Sequence, residues 1–179
     1  MAKRLMITAA EVLQDSILEA NIEANRIRPA IIKSQDIHIK SILGSALFDA
    51  LYAKRTVQGT WTGLTSYEQT LVDEYLTDCL REYAVFEYIK TGALSIDNAG
   101  IVKNFSDNSS VVGSRELKDL EESVEATADY YGQRLQSYLC ENSNYFPEYT
   151  ASNQNPYPRS NNRIKHIYTG KSGKSNRYC

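Results

Sequence analysis

Two stretches of this sequence hold apolar residues at helical spacing for longer than any ordinary strand. In the first, Val72, Leu76, Cys79, Leu80, Tyr83 and Phe86 keep to one stripe. In the second, Leu117, Leu120, Val124, Ala128, Tyr131, Leu135 and Tyr138 step by three and four without a break. A helix turns once in about 3.6 residues, so such steps gather side chains on one face, and burial of that face stabilises the helix. The first stretch opens on Thr65-Ser-Tyr-Glu68, a capping box, and ends near Lys90, before Gly92. Roughly 25 residues at 1.5 Å rise make it about 38 Å long. The second runs from about Arg115 to Glu141. Two such helices bury their stripes best against each other, at the centre of an all-α bundle. Val72, Leu76, Leu80, Tyr83, Val124, Tyr131 and Leu135 are the expected interior.

Shorter helices precede this pair. Thr8-Ala-Ala-Glu11 is a second capping box, and Ala9, Val12, Leu13, Ile17 and Leu18 predict a helix to about Ile22. Pro29 suits a first helical turn, which places the next helix from there to about Leu43, stopped by Gly44. Ser45 then caps a third helix through Tyr52. The loop TVQGTWTGLTS carries Trp61, read as a core plug ahead of an interface anchor. Between the long helices, residues from about 92 to 114 form an inserted polar loop. Its runs Gly100-Ile-Val and Val111-Val112 could pair as a small β-hairpin.

The chain's 179 residues carry a formal charge of −2, unevenly placed. Beyond Glu148 there is no acidic residue, while Arg159, Arg163, Lys165, Lys171, Lys174 and Arg177 make that segment +6 and leave −8 on residues 1–148. Residues 1–148 are therefore read as a helical domain and 149–179 as an extended basic C-terminal arm. Pro156 and Pro158 fix φ and favour an extended course over 149–160. An arm so rich in Asn, Ser, Gly, Lys and Arg cannot bury enough apolar surface to order itself. It is expected to dock on something acidic, copies of its own body included. Tyr157, Ile164, Ile167 and Tyr168 would anchor it between the charges.

Several chemistries lack their residues. The two Gly-Lys-Ser runs, at Gly170 and Gly173, need a glycine five positions earlier to make a phosphate loop, and Lys165 and Tyr168 stand there instead. His38 and His166 are the only histidines, so the Glu-x-x-His pairs of a di-metal bundle are missing. His38 reads as a plain helix residue. The rows Glu74, Asp78, Glu82 and Glu121, Glu125, Asp129 read as solvated acidic faces. Cys79, Cys140 and Cys179 are too sparse for a disulfide framework and fit a reducing compartment. The start is not expected to be a signal peptide, and no run is apolar enough to span a membrane. No catalytic, cofactor-binding or metal site is expected, and no enzyme.

Read in order, the landmarks are LGSALFDAL after an Ile-rich helix, NAGIVKNFSDNSSVV before a charged helix, ADYYGQRLQSYLCEN, and then YFPEY. Over about residues 8–150 this set resembles the head–tail connector (adaptor) proteins of tailed bacteriophages. It is nearest to the ring or neck proteins of Bacteroidetes-infecting and crAss-like phages. The resemblance implies a helical bundle with an inserted loop or hairpin, assembled as a ring, commonly a dodecamer, beneath the portal protein. Such a ring extends the DNA channel and offers a surface to further neck or tail proteins. It implies a virion protein of the neck, assembled in the host bacterial cytoplasm, with DNA sliding through and not bound by sequence.

The charges suit that role, since a −8 body repels phosphate at close range. The arm lies beyond the resemblance. Its expected interface residues are Tyr157, Arg159, Arg163, Ile164, Lys165, Ile167, Tyr168, Lys171, Lys174 and Arg177. The alternative is a nucleic-acid-binding or regulatory helical protein that uses this basic tail as its hook.

Overall fold

A computed structural model describes residues 3–18, 22–57, 59–92, 94–97, 100–103 and 114–152, with side chains described outside 92–114 and 150–152. Helix α1 spans Ala9–Gln14 and opens on the capping box: Thr8 Oγ1 accepts from Glu11 N at 3.2 Å, and Thr8 N donates to Glu11 Oε2 at 2.6 Å. It ends at Gln14, far short of Ile22. Ser16 Oγ accepts from Leu18 N at 3.2 Å, a local bond that competes with helix continuation, and Ile17 faces solvent.

Helix α2 spans Ala24–Ser34 and so begins before Pro29, with Pro29 inside it. The hydrogen bond that proline removes falls on the carbonyl of Asn25, an exposed residue in the first turn where solvent can compensate. The chain then widens into a π turn, Gln35–Ile39, and continues as α3, Lys40–Lys54. Inside α3, Gly44 has φ 75° and ψ 160°. That region is essentially closed to side chains, so the helix axis breaks at Gly44, as its position predicted.

The first long helix is built from α4 (Ser66–Thr70), a second π stretch (Leu71–Leu76) and α5 (Thr77–Gly92). Its capping box forms: Thr65 N donates to Glu68 Oε2 at 2.7 Å. The second long helix, α6, runs Ser114–Glu141. Helix α5 packs against α6 on one side and α2 on the other. A 3₁₀ turn, Ser143–Tyr145, leads to α7, Pro147–Ser152, which packs on α3. Residues 149–152 are therefore helical and not extended. Tyr149 is buried, and it belongs to the body.

The insertion contains a two-stranded antiparallel hairpin, β1 (Leu94–Asp97) and β2 (Gly100–Lys103), with Leu94 opposite Lys103 and Asp97 opposite Gly100. Gly100-Ile-Val thus pairs backwards, with Leu94–Asp97, while Val111-Val112 lie outside the described residues. A two-residue link costs less closure entropy than the eight residues of the expected pairing.

The interior expected from the stripes forms around α5. Val72, Leu76, Leu80, Tyr83, Val124 and Leu135 are buried, while Tyr131 is only half-buried, edge-on to the exposed Tyr130 at 5.4 Å. From Val124 onward the α6 stripe is buried except at Tyr131, whereas Leu120 remains 43% exposed. Trp61 packs on the core, bridges to Arg55 through the backbone and lies 4.8 Å beneath its guanidinium, so it is a plug. Below it, Lys54 Nζ donates to both oxygens of Glu68, at 2.6 and 2.7 Å, tying the end of α3 to the start of α4. Among the described residues no helix is long and apolar enough to cross a membrane.

Gly44→Ala should destabilise the chain by about 1–3 kcal/mol through backbone strain alone. Urea unfolding followed by circular dichroism measures it. A midpoint equal to wild type would show that α3 does not need this break.

Candidate functional site

The expected arm residues, Tyr157, Arg159, Arg163, Ile164, Lys165, Ile167, Tyr168, Lys171, Lys174 and Arg177, all lie outside the described residues. Among the described residues, no group of three or more His, Cys, Asp or Glu side chains could hold a metal ion. Two other features stand out: a polar seam buried between helices, and an apolar groove at the surface.

The seam starts at Glu87 on α5, buried to 3%. His38, in the first π turn, lies with Nε2 2.9 Å from Glu87 Oε1. An ionised carboxylate only accepts, so Nε2 must carry the proton and donate. Lys33 Nζ sits 2.5 Å from Glu87 Oε2, an ion pair whose angles fall outside hydrogen-bond geometry. Burial alone would raise the Glu87 carboxyl. The hydrogen bond from His38 and the charge of Lys33, helped by Lys90, outweigh it and hold the group below its ordinary range.

The seam continues through aromatic contact. The His38 ring stacks on Tyr83 at 4.2 Å and 6°, and Phe86 closes its edge at 6.3 Å. Tyr83 Oη then donates to Asp129 Oδ1 on α6 at 2.9 Å. Burial pushes the Tyr83 phenol well up, and the Asp129 carboxylate adds to it, so Tyr83 stays a donor. A Cβ on Gly132 would sit 2.9 Å from Tyr83 Oη, which is why this turn of α6 carries glycine. The chain Lys33–Glu87–His38–Tyr83–Asp129 thus ties α2, the π turn, α5 and α6 together.

Sequence reasoning placed His38 on a helix but missed Glu87, 49 residues away, since no local pattern joins them. The acidic rows are also less solvated than expected. Asp78 receives Arg81 at 3.1 Å and Arg134 at 3.8 Å, and burial pushes the Glu82 carboxyl up against the pull of Arg81. These groups orient helices.

The groove lies between α1 and the start of α2. Ala9, Ala10, Leu13, Gln14, Ile22 and Ala24 line a depression of about 430 Å³. The chain neighbours of the lining include Glu11, Asp15 and Glu23, with Arg26 two residues beyond. Ile17, 68% exposed, follows α1 directly.

A family model described as a family of unknown function (DUF6712) matches residues 39–159. That span runs from the end of the first π turn through the hairpin, α6 and α7, and leaves out α1 and α2. No curated protein and no solved structure matches the chain.

Glu87→Gln should cost about 1.5–3 kcal/mol at pH 7, the scale of hydrogen bonds to a charged group. The folded pKa of Glu87 is depressed, so its contribution is present above the unfolded value of about 4.3 and fades as pH falls through the folded one. The gap between wild type and variant should therefore close in acid, as read by urea unfolding at stepped pH; a constant gap would remove Glu87 as its cause. Gly132→Ala should destabilise in spite of the roughly 1 kcal/mol that alanine normally gains in a helix. Tyr83→Phe should relieve that penalty, and a double-mutant cycle showing no coupling would contradict the contact.

Proposed function

The chain belongs to DUF6712, a family of unknown function. We propose that it is a structural virion protein of the head–tail connector kind. It forms a homo-oligomeric ring, commonly of about twelve copies, beneath a portal protein. The ring extends the DNA channel and offers a surface to later neck or tail proteins. It acts in the neck of the virion, after assembly in the bacterial cytoplasm, and does no catalysis.

The observation that carries the reading is the division of charge: −8 on residues 1–148 and +6 on residues 149–179. An acidic body with a basic extension is complementary to its own copies, and a head-to-tail contact of that kind closes into a ring when the rotation between copies divides a full turn. The same acidic body lets DNA slide past without gripping phosphate. The resemblance of LGSALFDAL, NAGIVKNFSDNSSVV, ADYYGQRLQSYLCEN and YFPEY to connector proteins supplies the phage context. The hairpin of β1 and β2, set between the long helices, suits contact with a portal or an adjoining ring.

A second reading rests on the same arm. Basic residues alternating with tyrosine also suit single-stranded or duplex nucleic acid. The two readings separate under truncation. Native mass spectrometry with the portal of the same phage should show a ring of full-length chains and a weakened one when residues 153–179 are removed. A gel shift across salt concentrations should show little DNA binding by either form. Strong, salt-sensitive DNA binding that needs the tail, with normal assembly without it, would favour the hook and overturn the ring reading.

A further inference from the structure

We propose that the arm segment Arg163–Tyr168 of one copy docks in the groove between α1 and α2 of the next copy. The inference rests on the ring reading for its partner, a second copy, and adds the surface that receives the arm.

The groove has the form such a segment needs. Its floor is made by the short side chains Ala9, Ala10 and Ala24 together with the apolar Leu13 and Ile22. Ile17 extends the apolar surface into solvent. The nearby charges choose the occupant. Glu11, Asp15 and Glu23 outnumber Arg26 beside the lining. The Asp15 side chain is 61% exposed and lies 3.9 Å from Arg81, and Glu11 lies 3.8 Å from Arg55. A further apolar helix with an acidic surface, like those of the body, would be repelled.

Arg163-Ile-Lys-His-Ile-Tyr168 offers the complement. Ile164, Ile167 and Tyr168 stand at i, i+3 and i+4, a spacing that one helical turn gathers on a single face, as in helix-in-groove recognition. Arg163 and Lys165 flank that face with the opposite charge to the groove's rim. Exposed ion pairs contribute only about 0–1 kcal/mol each, so the two isoleucines and the tyrosine hold the segment and the charges set its direction. A contact from each arm to the next groove leaves one arm and one groove unfilled at either end of any open chain. A closed ring fills them all, as does a reciprocal exchange of arms between two copies.

The test mixes isotopically light and heavy full-length chains at high concentration and couples lysines to carboxylates with a zero-length carbodiimide. Lys165 and Lys171 should join Glu11, Asp15 or Glu23, with about half of the links joining a light to a heavy chain, the statistical share for contacts between copies in an equal mixture. Ala10→Arg, at an exposed helix position, and Ile167→Asp, on the arm and outside the body, should each cut these links at least fivefold and leave the helical spectrum unchanged. Links confined to chains of one label, or spread over the acids of α6, would overturn the proposal. So would unchanged links in Ile167→Asp. If the ring forms and depends on the arm but ignores Ala10→Arg, the groove is wrong and the ring reading stands. If mixed chains never associate, with or without a portal, both fall.

Discussion

Burial of α5 on both sides, by α2 and by α6, is the constraint on which the rest of the body depends. A helix covered on one side shows one apolar stripe. This one is covered on two, so Ala84, Val85 and Glu87 are buried beside the stripe of Cys79, Leu80, Tyr83 and Phe86. Any polar group on such a helix must find its partner in a neighbouring helix, because water cannot reach it. Glu87 finds Lys33 and His38 on the α2 side, and Tyr83 finds Asp129 on the α6 side. The partners that satisfy these groups also set the height of each flanking helix against α5. An apolar interface alone would tolerate sliding; the seam specifies one register.

A second set of polar contacts holds the N-terminal segment to the bundle. Gln35, buried in the first π turn, accepts from Met6 N at 3.2 Å and donates to the Arg4 carbonyl at 3.1 Å, pairing with the backbone as a strand would. Arg55 Nε donates to the Leu5 carbonyl at 3.1 Å, and Arg4 Nη1 returns to the Arg55 carbonyl at 3.1 Å. Lys3 pairs with Asp36 at the rim. Widening the helix at Gln35–Ile39 changes the angle between its side chains, so Gln35 faces the N-terminal segment and His38 faces Glu87. Met6 and Ile7 are then held as lids over the core.

The segment that follows the body differs from it in charge. The body ends in α7, whose Tyr149 and neighbouring Phe146 are buried and help close the bundle. Beyond lie six basic residues and no acid, on a chain with little apolar area of its own. Such a segment gains most by binding to an oppositely charged surface, and a copy of the body is one. The titratable side chains buried in the seam serve helix placement.

The sequence by itself determined the elements that depend on neighbours a few residues away. The long stripes required α5 and α6, Thr8/Glu11 and Thr65/Glu68 required their caps, and Gly44 required a break, since periodicity, capping and allowed φ/ψ are local. Only the tertiary structure decided the rest. The early end of α1 at Gln14, the backward pairing of Gly100–Lys103, the helical course of Pro147–Ser152 and the half-exposure of Tyr131 each depend on what packs nearby. Glu87 is the clearest case. On a helix with one covered face it would be a surface acid; with α2 and the π turn laid over it, it becomes the buried centre of a network. The number of helices that cover α5 decides this, and no spacing within α5 records that number.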